Sequence, residues 1–260
     1  MRILFVGDIV GRSGRTIVYE RLPNLVRDWK LDLVIANGEN SAGGFGITET
    51  IYRELIDCGV DAVTLGNHAW DQKEALVFIE RAPRLIRPIN YPTGTPGRGA
   101  ALIEAKNGGR ALIVNAMARI FMDPLEDPFA AIERELAACA LGRGADAVII
   151  DFHGEATSEK QAMGYFCDGR ASIVVGTHTH VPTADLRILA GGTAYITDVG
   201  MSGPYESVIG VKKELVIQRF LTNMPARFEP ASGDARLAAV VIECDERSGR
   251  ASGIRRILMQ

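Results

Sequence analysis

Three short β-branched runs alternate with helix-periodic stretches in the first quarter of the chain, and each run stops on polar, ligand-type residues. Ile3–Val6 ends in Gly7-Asp8, Leu31–Ala36 in Asn37-Gly38-Glu39-Asn40, and Ala62–Leu65 in Gly66-Asn67-His68. Short apolar runs bounded by turn residues predict strands, and strands alternating with helices predict β-α units around a parallel sheet. Right-handed crossovers hold the strand tips on one side, where open α/β sheets bind ligands. Asp8, Glu39, Asn67 and His68 are therefore expected to converge.

The segments between these runs fit that frame. Gly11-Arg12-Ser13-Gly14-Arg15 opens a helix carrying Ile17, Val18, Leu22 and Leu25, and it matches neither of the common phosphate-cradling glycine patterns. Thr48 is the expected N-cap of a helix with Ile51 and Leu55 on its apolar face, stopped by Gly59. The glycines from Gly38 to Gly46 predict a pliable loop over the tips.

The second half repeats the placement with imidazoles. The chain has four histidines in 260 residues. His153 follows the strand-like run Ala145–Ile150, and His178 and His180 follow Ser172–Val175 in Gly176-Thr177-His178-Thr179-His180-Val181-Pro182. Residues i and i+2 of extended chain share a face, so both rings can enter one small volume. Hairpins are expected about Asn107-Gly108-Gly109, about Ala190-Gly191-Gly192-Thr193 and, at the C-terminal end, about Ser248-Gly249, which adds antiparallel strands. Pro83–Pro96 and Asp198–Gly210 read as irregular chain, and Lys213–Leu221 as a short helix or strand.

Composition limits the function classes. With 47% hydrophobic residues the chain can fill a sizeable core, expected as one domain over residues 1–260. Lys and Arg number 29 against 32 Asp and Glu, a net charge of −3, which gives no general attraction to nucleic acid. No stretch reaches the roughly 20 apolar residues of a membrane span. The expected location is the cytoplasm, and assembly into a homo-oligomer is compatible with the chain. Four cysteines without a C-x-x-C pair point to buried thiols and receive no chemistry.

Together the tips offer two carboxylates (Asp8, Glu39), two amides (Asn40, Asn67) and four imidazoles. That is too many ligands for one tetrahedral zinc and too rich in nitrogen for magnesium. Two ions sharing one carboxylate fit the count, and the mixed nitrogen and oxygen set suits Fe, Mn or Zn without choosing among them. Such ions lie roughly 3.5 to 4 Å apart, bridge a hydroxide and clamp an in-line displacement at phosphorus. Asp151, Glu155, Asp185 and Asp198 are candidates to orient the ligands.

Gly7-Asp8, Gly66-Asn67-His68, the isolated His153 and His178-Thr179-His180 resemble, in order and spacing, the signature blocks of the calcineurin-like metallophosphoesterases. Gly7-Asp8-Ile9-Val10-Gly11, Asn37-Gly38-Glu39-Asn40, Gly66-Asn67-His68-Ala69-Trp70 and Asp151-Phe152-His153-Gly154-Glu155 are similar, more narrowly, to the bacterial YmdB-like branch. The resemblance implies a four-layer α/β/β/α sandwich of two mixed sheets flanked by helices. It also implies hydrolysis of cyclic nucleotides, 2′,3′-cyclic ones foremost, at a di-iron or manganese centre. Two departures from the broad superfamily matter. Val10 stands where the His of D-x-H is usual, and Glu39 replaces the usual bridging Asp.

By that resemblance one metal takes Asp8, Glu39, Asn40 and His180, and the other takes Glu39 as bridge with Asn67, His153 and His178. His68 is left as the general acid that protonates the leaving ribose oxygen, with an orienting role as its rival. The expected partner is a small cyclic nucleotide or another phosphodiester. A phosphomonoesterase or nuclease on the same metals, and a non-catalytic nucleotide sensor, stay open. A diester specialist should lack fixed cations for a terminal phosphate, and Arg12, Arg15 and Arg119 leave that choice undecided.

Overall fold

Along the first strand, β1 (Arg2–Val6), Ile3 and Phe5 face one way while Leu4 and Val6 face the other, and all four are fully buried. Two-sided burial requires a layer on each face. A computed structural model describes residues 1–260 and supplies both. Leu4 and Val6 pack in a core with helix residues such as Ile17, Val18 and Leu22, whereas Ile3 and Phe5 pack against Ile113, Ile149 and Ile173 of a second sheet.

The order after β1 is β2 (Asp8–Ile9), α1 (Gly11–Asp28), β3 (Leu33–Asn37), α2 (Glu49–Asp57), β4 (Ala62–Thr64), α3 (Ala75–Phe78) and β5 (Leu85–Ile86). There follow β6 (Ala100–Glu104), β7 (Arg110–Met117), α4 (Pro128–Ala138), β8 (Ala147–His153), α5 (Thr157–Phe166) and β9 (Ile173–Thr177). The chain closes with β10 (Arg187–Ile188), β11 (Ala194–Ile196), β12 (Met201–Pro204), α6 (Lys213–Thr222), β13 (Ala235–Cys244) and β14 (Ala251–Met259). The first sheet runs β2-β12-β13-β1-β3-β4-β5 with β14 paired to β13, and the second runs β10-β11-β9-β8-β7-β6.

Helices α1, α2 and α3 cover the outer face of the first sheet, and α4 and α5 cover that of the second through Ile132, Leu136 and Met163. The four-layer α/β/β/α sandwich is thus as expected. Local chemistry fixes the helix starts: Thr48 accepts from the Ile51 amide at 3.2 Å, and Asp127 caps α4 ahead of Pro128. No helix is long and apolar enough to cross a membrane.

Several boundaries differ from the sequence reading. Strand β8 runs on to His153, because β7 and β9 stay paired beside it as far as Met117 and Thr177. The stretch expected to be irregular from Asp198 holds β12, which pairs in parallel with Asp8-Ile9 and antiparallel with Ala235-Arg236. Asp8, just past the tip of β1, therefore lies inside a second, two-residue strand. Leu85–Ile86, within the proline-rich stretch, adds in parallel to β4. The hairpins β6–β7, β10–β11 and β13–β14 form as predicted.

Candidate metal centre

Strands β1, β3 and β4 run parallel, so the chain just beyond them delivers Asp8, Glu39, Asn40, Asn67 and His68 to one end of the first sheet. Parallel β8 and β9 deliver His153, His178 and His180 from the second sheet to the same place. His153 Nε2 lies 2.9 Å from Asn67 Oδ1, 3.1 Å from His178 Nδ1 and 3.1 Å from Glu39 Oε1. Glu39 also meets the other residues: its Oε1 accepts from Asn40 Nδ2 at 3.0 Å, and Asn40 Nδ2 is 3.1 Å from His180 Nε2. His180 Nε2 is 3.8 Å from Asp8 Oδ1.

Hydrogen bonds behind the rings set their tautomers. The Thr177 hydroxyl donates to Asp151 Oδ1 at 2.6 Å, so it accepts from His153 Nδ1 at 2.8 Å and leaves Nε2 facing the centre. His180 donates Nδ1–H to the Ile209 carbonyl at 2.8 Å, which again leaves Nε2 inward. His178 turns Nε2 toward Glu155 at 3.3 Å and Nδ1 inward. Imidazoles that ligate metals are held in this way by their outer nitrogen.

Asp151 is completely buried and also accepts from Thr64 Oγ1 at 2.5 Å and Asn37 Nδ2 at 3.1 Å, so one carboxylate ties both sheets together beneath the centre. The turn that carries His178 and His180 has positive φ at both residues, 103° and 66°. Side chains rarely adopt such φ, at a cost of about 1–3 kcal/mol each. Asp198 Oδ2 offsets it by accepting from the Thr179 amide at 3.0 Å and hydroxyl at 2.8 Å, and Lys160 Nζ binds Asp198 at 2.9 Å and the Thr177 carbonyl at 2.7 Å. Asp185 sits one step further out, on Thr183 and Thr197.

Does a cation fit? Ligand atoms on one ion at about 2.1 Å are about 3.0–3.4 Å apart, and the contacts around His153 Nε2 match that spacing. A single ring proton cannot serve Asn67, His178 and Glu39 at once, whereas a cation among them can. Asp8 Oδ1 is buried without any hydrogen-bond partner. Around His180 and Asp8 the fit requires the Asn40 amide to present Oδ1 in place of Nδ2. Glu39, His153 and His178 bring their ligand atoms within 4.8 Å of one another, a spacing that fits a cation.

Burial pushes the Asp8 carboxyl up to about 6, against the pull of His180 and His153. Glu39 is held below its ordinary range: burial alone would raise it, but His153 and His68 outweigh burial. His153 is its counterpart, because burial disfavours its charge yet Glu39, Asp8 and Asp151 hold its pKa up at about 9. His178 falls to about 3 through burial and the neighbouring His153. A cluster of opposed shifts in a cleft marks a working site.

His68 stands apart from the nitrogen cluster. Its backbone N–H donates to Glu39 Oε2 at 3.1 Å, and its ring Nδ1 meets Asp71 Oδ2 at 2.8 Å. Asp71 went unassigned in the sequence, although its i+3 spacing from His68 was the available signal. Arg12, Arg15 and Arg119 are absent from the walls of the cleft over the centre, where Arg219 is the one Lys or Arg; Gly44 and Phe45 of the glycine-rich loop do line it.

Two mixed sheets packed face to face, with acids, amides and imidazoles gathered at one end, define a metallophosphoesterase. The chain belongs to the YmdB-like protein family, whose model matches residues 4–257. It is 51% identical over 259 residues to the 2′,3′-cyclic-nucleotide 2′-phosphodiesterase of Bacillus subtilis (strain 168), covering 100% of this chain and 97% of that protein. A solved protein from Thermus thermophilus superposes with TM-score 0.92 at 48% identity, covering 99% of this chain and 98% of that one. A solved structure described as a novel phosphatase from Mycoplasma pneumoniae gives TM-score 0.92 at 36% identity, over 100% of this chain and 93% of its own.

Proposed function

We propose that this chain is a phosphoric diester hydrolase that opens 2′,3′-cyclic nucleotides. Two cations would be held by Asp8, Glu39, Asn40 and His180 and by Glu39, Asn67, His153 and His178. The observation that carries the reading is the convergence of Glu39 with both ligand groups, 3.1 Å from His153 Nε2 and 3.0 Å from Asn40 Nδ2. The activity named for the Bacillus subtilis relative supports it. When bound, such cations neutralise the phosphodiester and activate a water for in-line attack.

The chain's own residues then do three things. Thr177, Ile209 and Glu155 hold the ligating rings in one orientation. The Glu39–His68 contact fixes the GNH loop relative to the centre. His68, its Nδ1 engaged by Asp71, delivers a proton from Nε2 to the departing O2′ as the P–O2′ bond breaks, which yields a nucleoside 3′-phosphate.

Diester rather than monoester chemistry is supported by the cleft walls, where Arg219 alone could meet a terminal dianion. The test is purified protein with added Mn²⁺ on 2′,3′-cyclic nucleotides and on nucleoside monophosphates. Faster release from the cyclic diesters is expected. Preference for the monoesters overturns the reading, and tight nucleotide binding without turnover favours the sensor.

A further inference from the structure

The cleft over the centre encloses about 780 Å³ and has two unlike halves. Asn40, His68, His178 and His180 form one; Phe45 and the segment from Val208 to Pro230, including Ile209, Phe220 and Phe228, form the other. Phe45 of the second half meets His68 of the first at 5.1 Å, so a ribose cyclic phosphate seated on the first half has the second within reach of its base. We infer that the apolar half is a nucleobase subsite, one that holds the base by its faces and does not read its edges. The inference rests on the function proposed above.

Two observations carry it. The first is exposure of aromatic surface in a substrate cleft. Phe220 is 83% exposed and Phe45 40%, with the Phe45 ring edge-on to His68 at 5.1 Å. Exposed apolar surface of this kind beside a reactive centre marks a ligand wall.

The second is that most groups able to read a base edge are already engaged. The Thr179 hydroxyl donates to Asp198 and Glu229 Oε2 pairs with Lys212 Nζ at 2.6 Å, while the Arg219 guanidinium is drawn over the Phe228 ring at 5.3 Å with its N–H groups left as the main donors of the wall. Much of the backbone of the wall is likewise occupied. Val208 and Val211 exchange amide bonds at 3.0 and 2.9 Å, the Gly210 N–H donates to Ser207 Oγ at 2.9 Å, and the Ile209 carbonyl takes His180. Stacking on an aromatic face is worth about 1–3 kcal/mol per base and tolerates every base.

The test compares kcat/KM for the adenosine, guanosine, cytidine and uridine 2′,3′-cyclic phosphates with that for a base-free analogue, 1-O-methylribofuranose 2,3-cyclic phosphate. The four nucleotides are expected within about tenfold of one another, and about 10- to 100-fold above the analogue. Phe220→Ala, at a position too exposed to matter for folding, is expected to shrink that nucleotide-to-analogue ratio through KM. Equal turnover of nucleotide and analogue overturns the subsite while leaving the hydrolase intact. So does a strong preference for one base. If no diester is hydrolysed, the hydrolase reading falls and the subsite with it.

Discussion

Glu39 follows a strand of the first sheet and His153 ends a strand of the second, yet their Oε1 and Nε2 atoms meet at 3.1 Å in a fully buried pair. In the cation-free protein His153 keeps its proton through neutral pH, because Glu39 holds its pKa at about 9. A ligating imidazole must be neutral, so loading has to displace that proton. Uptake of Mn²⁺ at pH 7 is therefore expected to release about one proton from His153. Affinity should rise by about tenfold per pH unit between about 6, where the Asp8 carboxyl has ionised, and about 9, and level off above it. Calorimetry in buffers of different ionisation enthalpy counts the proton, and a count of zero refutes the assignment.

The same carboxylate decides stoichiometry. Glu39→Gln keeps the shape but removes the charge that both ligand groups share, and elemental analysis should fall from about two ions per chain to one or fewer. Retention of both ions would remove Glu39 from the bridging position.

His68 and Asp71 separate chemistry from metal loading. His68→Ala is expected to lower kcat about 10²- to 10⁴-fold with metal content unchanged. Asp71→Asn, which keeps the ring but loosens its hold, should cost less. Loss of metal in His68→Ala would make the residue a ligand instead.

Gly66 is placed where only a hydrogen fits: a Cβ there would collide with Glu39 Oε2 and His153 Nε2. Gly66→Ala should therefore leave far-ultraviolet circular dichroism near wild type while abolishing metal binding. A variant that loads normally would show that both residues have slack.

Lys160 and Asp198 are an ion pair at 1% and 0% side-chain exposure that braces the turn of His178 and His180. Removing one partner strands a buried charge, so Lys160→Met should destabilise by about 3–5 kcal/mol in denaturant unfolding. The Lys160→Met, Asp198→Asn double variant should recover part of that loss.

What the sequence reveals and what it hides divide along a physical line. Strand tips are legible because a buried parallel strand needs an uninterrupted apolar run, and the polar residue that ends the run is placed by that run alone. Asp8, Glu39, Asn67, His153, His178 and His180 are all legible in this way. The partners behind them depend on pairing across the chain. Lys160 is a lysine on α5, and nothing local shows that it turns inward to Asp198. Strand β12 is hidden because Met201-Ser202-Gly203-Pro204 has turn-like composition and is held in place only by Asp8-Ile9 and Ala235-Arg236. The cleft wall from Val208 to Pro230 is only partly legible: Lys213–Leu221 reads as a short helix or strand, but nothing local shows that the segments flanking it line the cleft.

Strand β13 carries one further consequence. Its antiparallel register sets Glu243 to Ala239 against Arg2 to Val6, so the strand leading to Asp8 lacks one of its two neighbours until residue 244 has been made. A nascent chain on the ribosome can assemble the β-α units early, but it cannot close the ligand-bearing end of the first sheet until Ala235–Glu243 has been made. Premature termination upstream of Ala235 would release a product with every proposed metal ligand but with β1 and β12 each short of a neighbouring strand.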